Sequence, residues 1–327
     1  MPIVTNPTAG DIHVNRPLTN FSQKFLLRAE MFIALNAMPN MPVSKQSDLY
    51  YVFNRGDIYR DEAKDRADGT ASAGGGFRLS TDPYFARVYA FHKDVTDRQR
   101  ANQDELIRLD ESASQYVTHK LLIRREKDFL SSFFGTGIWG TDNPLAAGDR
   151  WDTATGTPIE AIRTGIRTVH AQTGFRPNRM MISRVGYDAL LDNDEILARI
   201  TGGANTAQPA NVQKQLLAQL FELETIHVVD AVENTAPRNV DATVENTQFI
   251  GGNHALLYYA PNSVGIEEPP AGTSFSWTGF MGATNAGMRI KRFREERVEA
   301  DRIEGQMSFD HKVVSPELGY LFTTITG

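Results

Sequence analysis

The sequence predicts an α+β protein, and three segments of the chain support that prediction. Residues 48–91 have the composition of two strands around a glycine-rich turn. Residues 103–134 contain neither glycine nor proline and repeat apolar residues at helical spacing. Residues 155–265 alternate helical patterns with short apolar strands, as a compact α/β unit does. The 327 residues are 41% hydrophobic and 23% charged, which rules out global disorder.

Residues 1–45 are predicted to form an arm that needs another surface to pack on. The arm contains five prolines and only one short apolar stretch, residues 25–35. Pro39 and Pro42 interrupt any helix and favour extended backbone. The N-terminus has no basic start and no apolar core, so we expect no signal peptide.

Residues 48–91 are predicted to form one long β-hairpin. Strand-forming residues flank the segment 68–76, which contains four glycines and predicts a turn or flexible tip. A strand of about 15 residues spans roughly 50 Å, and a two-stranded hairpin is marginally stable alone. The hairpin is therefore expected to lie on its own domain or on a neighbouring molecule, and the composition leaves both open.

Residues 103–134 predict one long helix that ends at Gly135 and Gly137. About 30 helical residues span roughly 45 Å, which suits a spine better than a globular core. The residues of its inward stripe are spaced three or four apart and are Leu106, Leu109, Ala113, Val117 and Leu121.

The unit 155–265 is predicted to begin with a capped helix at Thr157, where Pro158 and Glu160 complete the start signal. Asp192 and Glu195 have the spacing of a second capping box. The remaining predicted elements are a helical segment at 185–200, for which a break at Asp192 stays open, a helix at 211–221, and strands at 179–183, 226–232 and 255–260.

Residues 289–304 form a segment with six basic and five acidic residues, too charged to be buried. Considered as one strand, it has Arg292, Arg294 and Arg302 on one side, and both sides carry both signs. Two interpretations stay open: a solvated face, or a strand that forms ion pairs with other subunits.

The sequence predicts no catalytic residue, no bound cofactor and no metal site. The absence of cysteine excludes disulfides, thiol nucleophiles, Cys-type zinc sites and iron–sulfur clusters. Residues 135–140 fit G-x-G-x-x-G, but a helix precedes them where a dinucleotide site needs a strand. Asp142, Asp149 and Asp152 leave a calcium site open without matching a known spacing. The net charge of −6 is opposite to that of a dedicated nucleic-acid binder, and the longest apolar run of six residues is too short to span a membrane.

Four stretches, in their order along the chain, resemble the major capsid proteins of tailed bacteriophages with the Hong Kong 97-type fold. In the last of them a helix ends at Thr-Gly, Pro-Asn precedes a strand, and a second helix ends near Arg-Ile. The stretches are PVSKQSDLYYVFNRGDIYRDEAKDRA (42–67), FHKDVTDRQRAN (91–102), LLIRREKDFLSSFFGTGIWGTD (121–142) and the segment 157–200.

The resemblance implies an arm, an extended loop that drapes over an adjacent subunit, a peripheral domain with a spine helix, and an axial α/β domain. These parts correspond to residues 1–45, 46–91, 92–154 with 266–327 (spine 103–134), and 155–265. The charged segment would run back into the peripheral domain as a long strand. Lys64 is the only lysine in 46–90, and without a matching asparagine and acid we expect no covalent crosslink.

The resemblance further implies a structural, non-enzymatic protein that assembles through hexamers and pentamers into the icosahedral head shell of a phage. Its expected partners are copies of itself, with scaffolding, portal and decoration proteins as further candidates. It would enclose the packaged DNA without sequence-specific contacts, touch no membrane, and belong to a virion assembled in the host cytoplasm. Two alternatives are an encapsulin-like cellular compartment of the same fold and an α/β enzyme built on 155–265.

The candidate contacts between subunits fall in the loop and in the charged segment. They are Tyr50, Tyr51, Phe53, Arg60, Lys64 and Phe77 in the loop, and Arg294, Arg297 and Glu299 in the charged segment.

Overall fold

The computed structural model describes residues 31–53, 60–66, 68–76, 79–102, 108–201, 214–237, 245–261, 268–279 and 283–327. No helix within these ranges combines the length and apolarity that crossing a membrane requires. The strands are β1 Asn40–Val43, β2 Ser47–Phe53, β3 Leu79–Phe85, β4 Arg87–Thr96, β5 Thr141–Pro144, β6 Arg179–Ser183, β7 Thr225–Val229, β8 Val232–Asn234, β9 Thr247–Phe249, β10 His254–Tyr258, β11 Gly272–Trp277, β12 Met288–Glu295, β13 Ala300–Val313 and β14 Gly319–Thr323. The helices are α1 Asp97–Ala101, α2 Leu109–Phe133, α3 Pro158–Thr173, α4 Arg184–Asp192, α5 Asp194–Thr201 and α6 Lys214–Leu220, with 3₁₀ turns at Glu296–Val298 and Pro316–Leu318.

A five-stranded sheet is built around β13, the longest strand. It runs β1-β11-β13-β12, and β4 also pairs with β13, from Arg87 opposite Phe309 to Thr96 opposite Ala300. The long helix α2 packs across this sheet, where Val117 and Leu121 meet Met307. Gly305 permits the close approach, because a Cβ at that position would lie 2.6 Å from a Val117 methyl group. The predicted long helix is confirmed over Leu109–Phe133, and residues 103–107 lie outside the described ranges.

A second five-stranded sheet has the order β5-β14-β10-β6-β7 and is covered on one face by helices. Strands β6 and β10 carry unbroken apolar runs, which agrees with their burial on both faces of the sheet. The sheet takes β5 and β14 from outside 155–265, so its strands cross the boundaries that the sequence analysis gave to the axial domain. The opposite face packs against the end of α2 through Phe129 and Phe133.

The helical segment predicted over 185–200 is divided at Asn193 into α4 and α5, and the helix caps of this unit differ from the predicted ones. Helix α3 begins at Pro158 without a side-chain cap from Thr157. The Glu195 carboxylate accepts instead from the Ile159 N–H at 3.0 Å. Asn193, and not Asp192, caps α5, because its Oδ1 accepts from the Glu195 N–H at 3.0 Å. A partner from a distant part of the sequence replaced the local box at α3, and the neighbouring Asn193 replaced it at α5.

The predicted hairpin is present as two seven-residue strands, β2 and β3, paired from Ser47 opposite Phe85 to Phe53 opposite Leu79. After Ala86 the chain continues as β4 into the five-stranded sheet. The described end of the predicted arm packs on the same sheet, because β1 pairs in parallel with β11 and Phe32 is buried. The hairpin and the described end of the arm therefore both adjoin the five-stranded sheet around β13.

Candidate assembly surfaces

One face of the β2–β3 hairpin packs on its own chain. Tyr84 is 6% exposed and stacks on Phe275 of β11 with ring centroids 4.5 Å apart, while the Tyr50 ring lies 5.3 Å from the same ring. The Tyr50 hydroxyl donates to Asp82 across the hairpin at 2.8 Å. Burial and that carboxylate raise the pKa of Tyr50 above its usual range. Tyr50 therefore anchors the hairpin within the subunit, a role that its strand-forming character did not reveal.

The opposite face of the hairpin is apolar and exposed. Leu49, Tyr51 and Phe85 are 59%, 61% and 53% exposed. Alternation along each strand, together with the pairing of Leu49 with Pro83 and Tyr51 with Thr81, places all three on one face. We call Leu49, Tyr51 and Phe85 the hairpin face. Contiguous exposed apolar side chains are typical of surfaces that contact another molecule.

Beyond the paired strands, the loop is described over residues 60–66 and 68–76, all of which are exposed. Arg60 lies 3.3 Å from Glu62, and Lys64 has no ion-pair partner among the described residues. Phe77 lies outside those residues, and Phe53 is described only through its backbone pairing with Leu79. The roles of these four residues in contacts between subunits stay predictions.

The charged segment is a hairpin, so the prediction of a single alternating strand over 289–304 is wrong. Strand β12 ends at Glu295, a 3₁₀ turn follows, and Glu299 adopts a φ of 48° before β13 begins. β12 and β13 pair antiparallel, with Arg294 opposite Asp301. Residues directly opposite in such a pair share a face, so opposite charges meet here within one subunit.

Three arginines and three aspartates form a network at this end of the five-stranded sheet. It joins α1, the start of α2, β12 and β13. Its contacts are Arg100–Asp110 at 2.5 Å, Arg100–Asp301 at 2.9 Å, Arg292–Asp110 at 3.0 Å, Arg292–Asp301 at 2.8 Å and Arg294–Asp97 at 2.6 Å. Hydrogen bonds from Arg294 hold the pKa of Asp97 below its usual range, and those from Arg292 do the same for Asp301.

Of the candidates in the charged segment, Arg294 faces its own subunit, whereas Arg297 and Glu299 occupy the exposed turn of the β12–β13 hairpin. The described residues offer neither Arg297 nor Glu299 an ion-pair partner. Arg297 and Glu299 are thus better placed than Arg294 to reach another molecule.

Charge reversal at Arg294 is expected to destabilise the subunit itself. Arg294→Glu would place a carboxylate beside Asp97 and Asp301, and we expect the melting temperature of the unassembled chain to fall by roughly 2–4 °C. Arg297→Glu makes the same charge change on the exposed turn and serves as the matched control, with no expected fall. Calorimetry on both variants tests this. Equal melting temperatures would show that the network contributes nothing.

Two fully buried charged residues in α2, Arg125 and Glu126, were missed by the sequence analysis. The Glu126 carboxylate accepts from the N–H groups of Ile33 at 3.3 Å and Ala34 at 2.9 Å. Arg125 donates to the Ala286 carbonyl at 3.0 Å. Burial raises the pKa of Glu126 to about 7 and lowers that of Arg125 to about 10. Arg125 lies four residues after Leu121, the last residue of the predicted inward stripe. Helical spacing alone could therefore have predicted that Arg125 points inward.

The motifs singled out for chemistry have structural roles. Gly137, with a φ of 75°, lies in the turn after α2, and its N–H donates to Asp142 at 2.5 Å. Asp152 accepts from the Gly327 N–H at 2.8 Å. No group of three or more His, Cys, Asp or Glu side chains is placed to hold a metal ion in the described part of the chain. Two of the three loop aspartates thus have backbone partners.

Comparison with known proteins identifies a capsid-type fold. Residues 138–267 match the family described as phage major capsid protein E. A phage-related protein from Bordetella bronchiseptica RB50 superposes with a TM-score of 0.68 at 18% identity, over 95% of this chain and 98% of that one. The capsid protein of cyanophage P-SCSP1u gives a TM-score of 0.52 at 11% identity, over 87% and 85% of the two chains. No curated protein matches the chain.

The same fold occurs in a cellular shell protein. The SrpI encapsulin of Synechococcus elongatus PCC 7942 superposes with a TM-score of 0.56 at 11% identity, over 93% of this chain and 90% of that one. The structural likenesses establish the fold, and the matched segment 138–267 adds the link to phage capsid proteins. The resemblance that the sequence predicted is therefore confirmed, as is the α+β, Hong Kong 97-type fold.

Proposed function

We propose that this chain is a structural protein of the phage major capsid type and that it assembles through hexamers and pentamers into an icosahedral head shell around a packaged genome. The observation that supports this most strongly is the match of residues 138–267 to phage major capsid protein E, within a chain that carries the capsid fold along nearly its whole length. The exposed hairpin face supplies an apolar surface for the contacts between subunits that such a shell needs.

This proposal assigns a role in the shell to the hairpin and to each of the two five-stranded sheets. The hairpin 46–91 keeps one face on its own subunit through Tyr84 and lays the hairpin face on a neighbour. The sheet around β13 and the helix α2 form the peripheral domain. The sheet of β5, β14, β10, β6 and β7 forms the axial domain, whose tips would meet at the symmetry axes.

The proposed location is the virion, with assembly in the host cytoplasm, and no enzymatic activity is proposed. Scaffolding, portal and decoration proteins are the proposed partners besides further copies of the chain. Packaged DNA is the proposed content of the shell, held without sequence-specific contacts.

A cellular compartment of the encapsulin kind is the second candidate, because the SrpI encapsulin shares the fold. The family match over 138–267 favours the phage shell. A portal or terminase gene beside the coding sequence would support the phage shell, and a gene for a cargo enzyme would support the compartment.

Native mass spectrometry of the purified full chain tests the proposal. We expect pentamers, hexamers or larger closed assemblies, because contiguous exposed apolar side chains such as the hairpin face are typical of surfaces that contact another molecule. A folded monomer as the only species at high concentration would contradict the proposal.

A further inference from the structure

A groove between β4 and α2 concentrates basic and aromatic side chains on a chain whose net charge is negative. Tyr89, Phe91 and Lys93 stand on the face of β4 that meets the helix, as does Arg87, because these residues pair with Met307, Gly305, Ile303 and Phe309 of β13. Tyr116, Lys120 and Arg124 follow one another at four-residue steps on the facing side of α2. We call the groove lined by Arg87, Lys93, Lys120 and Arg124 the basic groove.

Ring contacts show that these side chains form one continuous surface. The ammonium groups of Lys93 and Lys120 lie over the Tyr116 ring at 5.3 Å and 5.5 Å from its centroid. The Arg124 guanidinium lies over the Tyr89 ring at 4.9 Å. At one end, Arg87 and Arg124 line a cavity of about 270 Å³ together with Lys312.

The carboxylates in this region neutralise one member of the basic groove, Arg124, and leave the other three without a carboxylate partner among the described residues. Asp128 pairs with Arg124 at 2.7 Å. Asp310 accepts from the Phe85 N–H at 2.9 Å and lies 3.8 Å from Lys312. Arg87, Lys93 and Lys120 have no carboxylate partner among the described residues.

The space between the ammonium groups of Lys93 and Lys120 is a favourable position for an anion. Because both ammonium groups lie over one ring, they are no more than about 11 Å apart. Like charges separated by up to about one Debye length, about 10 Å at 0.1 M salt, are only partly screened and still repel each other. An anionic group between them removes the repulsion, and the rings add cation–π stabilisation.

We propose that the basic groove binds the phosphodiester backbone of the packaged nucleic acid without reading its sequence. From Arg87 to Lys93 the strand extends about 20 Å, which spans roughly six phosphates of one DNA strand. Arginine and lysine side chains that contact phosphate oxygens give affinity without sequence preference. This inference rests on the proposed function, because it takes the enclosed genome as the polyanion, and it places the basic groove on the inner surface of the shell.

The salt dependence of DNA binding by the full chain tests the inference. Fluorescence anisotropy with a labelled 20-base-pair duplex should give a slope of log affinity against log salt of about −2.7, because Arg87, Lys93 and Lys120 would each neutralise one phosphate. Lys93→Gln with Lys120→Gln should reduce the size of the slope to about −0.9. Lys45→Gln with Lys291→Gln removes the same charge from exposed positions outside the basic groove and should leave the slope unchanged.

Equal slopes for the two double variants, or no binding of the duplex by the parent, would overturn the inference. Unchanged duplex binding together with lost particle formation in the Lys93/Lys120 variant would place an acidic surface of a second copy in the basic groove, and would also overturn it. Failure of the parent chain to form particles would count against the shell, and the duplex slopes would still decide the basic groove by themselves.

Discussion

Replacing Leu49 and Tyr51 by aspartate is expected to lower the yield of shells by more than tenfold and leave the subunit folded. Both side chains are about 60% exposed, so they contribute little to the core of their own subunit. On a neighbouring subunit they would bury apolar surface worth about 25 cal/mol per Å², and two carboxylates would have to be desolvated there. Particle counts by electron microscopy and melting curves of the unassembled chain measure the two effects.

The matched control replaces two other exposed apolar residues, Val185 and Phe249, by aspartate. They are 48% and 45% exposed and lie outside the hairpin face, so shells are expected to form at the parent's yield. A parent-like yield of shells from the Leu49/Tyr51 variant would show that the hairpin face makes no contact needed for assembly. A large fall in its melting temperature would show that the hairpin face packs on its own subunit.

Replacing Glu126 by alanine is expected to lower the free energy of unfolding by about 3 kcal/mol. The carboxylate is fully buried and accepts two backbone N–H groups, which alanine would leave without partners. Glu126→Gln keeps one acceptor oxygen and nearly the same volume, so its loss should be clearly smaller. Denaturant unfolding of the unassembled chain measures both. Equal losses in the two variants would show that only side-chain volume matters at this site.

We expect the free energy of unfolding to depend on pH through the Glu126 carboxyl group, an effect that a neutral side chain at this position would not have. Burial raises its folded-state pKa from 4.5 to about 7, so the folded chain favours the protonated form. The stabilisation of the folded chain by the protonated Glu126 is fully present below pH 4.5 and is lost as the pH rises through 7. The free energy of unfolding falls by roughly 3 kcal/mol over this range. Burial also lowers the pKa of His227 to about 4 and of His311 to about 3, so the parent is compared with Glu126→Gln at each pH. A constant difference between pH 5 and 8 would contradict the buried carboxylate.

Local sequence patterns were sufficient to predict the long helix, the hairpin and the strands β6, β7 and β10 of the second sheet, but not its strands β5 and β14. Each of these elements carries its signal locally, as in the repeat of Ala113, Val117 and Leu121. Helix caps were less predictable, because the partner of α3 came from elsewhere and α5 is capped by Asn193 in place of Asp192. Glu195 is 36 residues from Ile159, a separation at which no local motif operates.

The charged segment shows why a candidate surface cannot be predicted from charge alone. Its composition gave no sign of the turn at Glu299, a non-glycine residue with positive φ. Once the chain reverses there, Arg292 and Arg294 meet Asp301 and Asp97 of the same subunit. In the hairpin, composition predicted the two strands, but only the position of Phe275 decides which face stays exposed.

Electron microscopy of the purified chain tests the central claim most directly. The capsid fold, the family match and the exposed hairpin face together predict closed icosahedral particles of uniform diameter. Well-folded monomers that form no closed particle over the full range of protein concentration and salt would contradict the account.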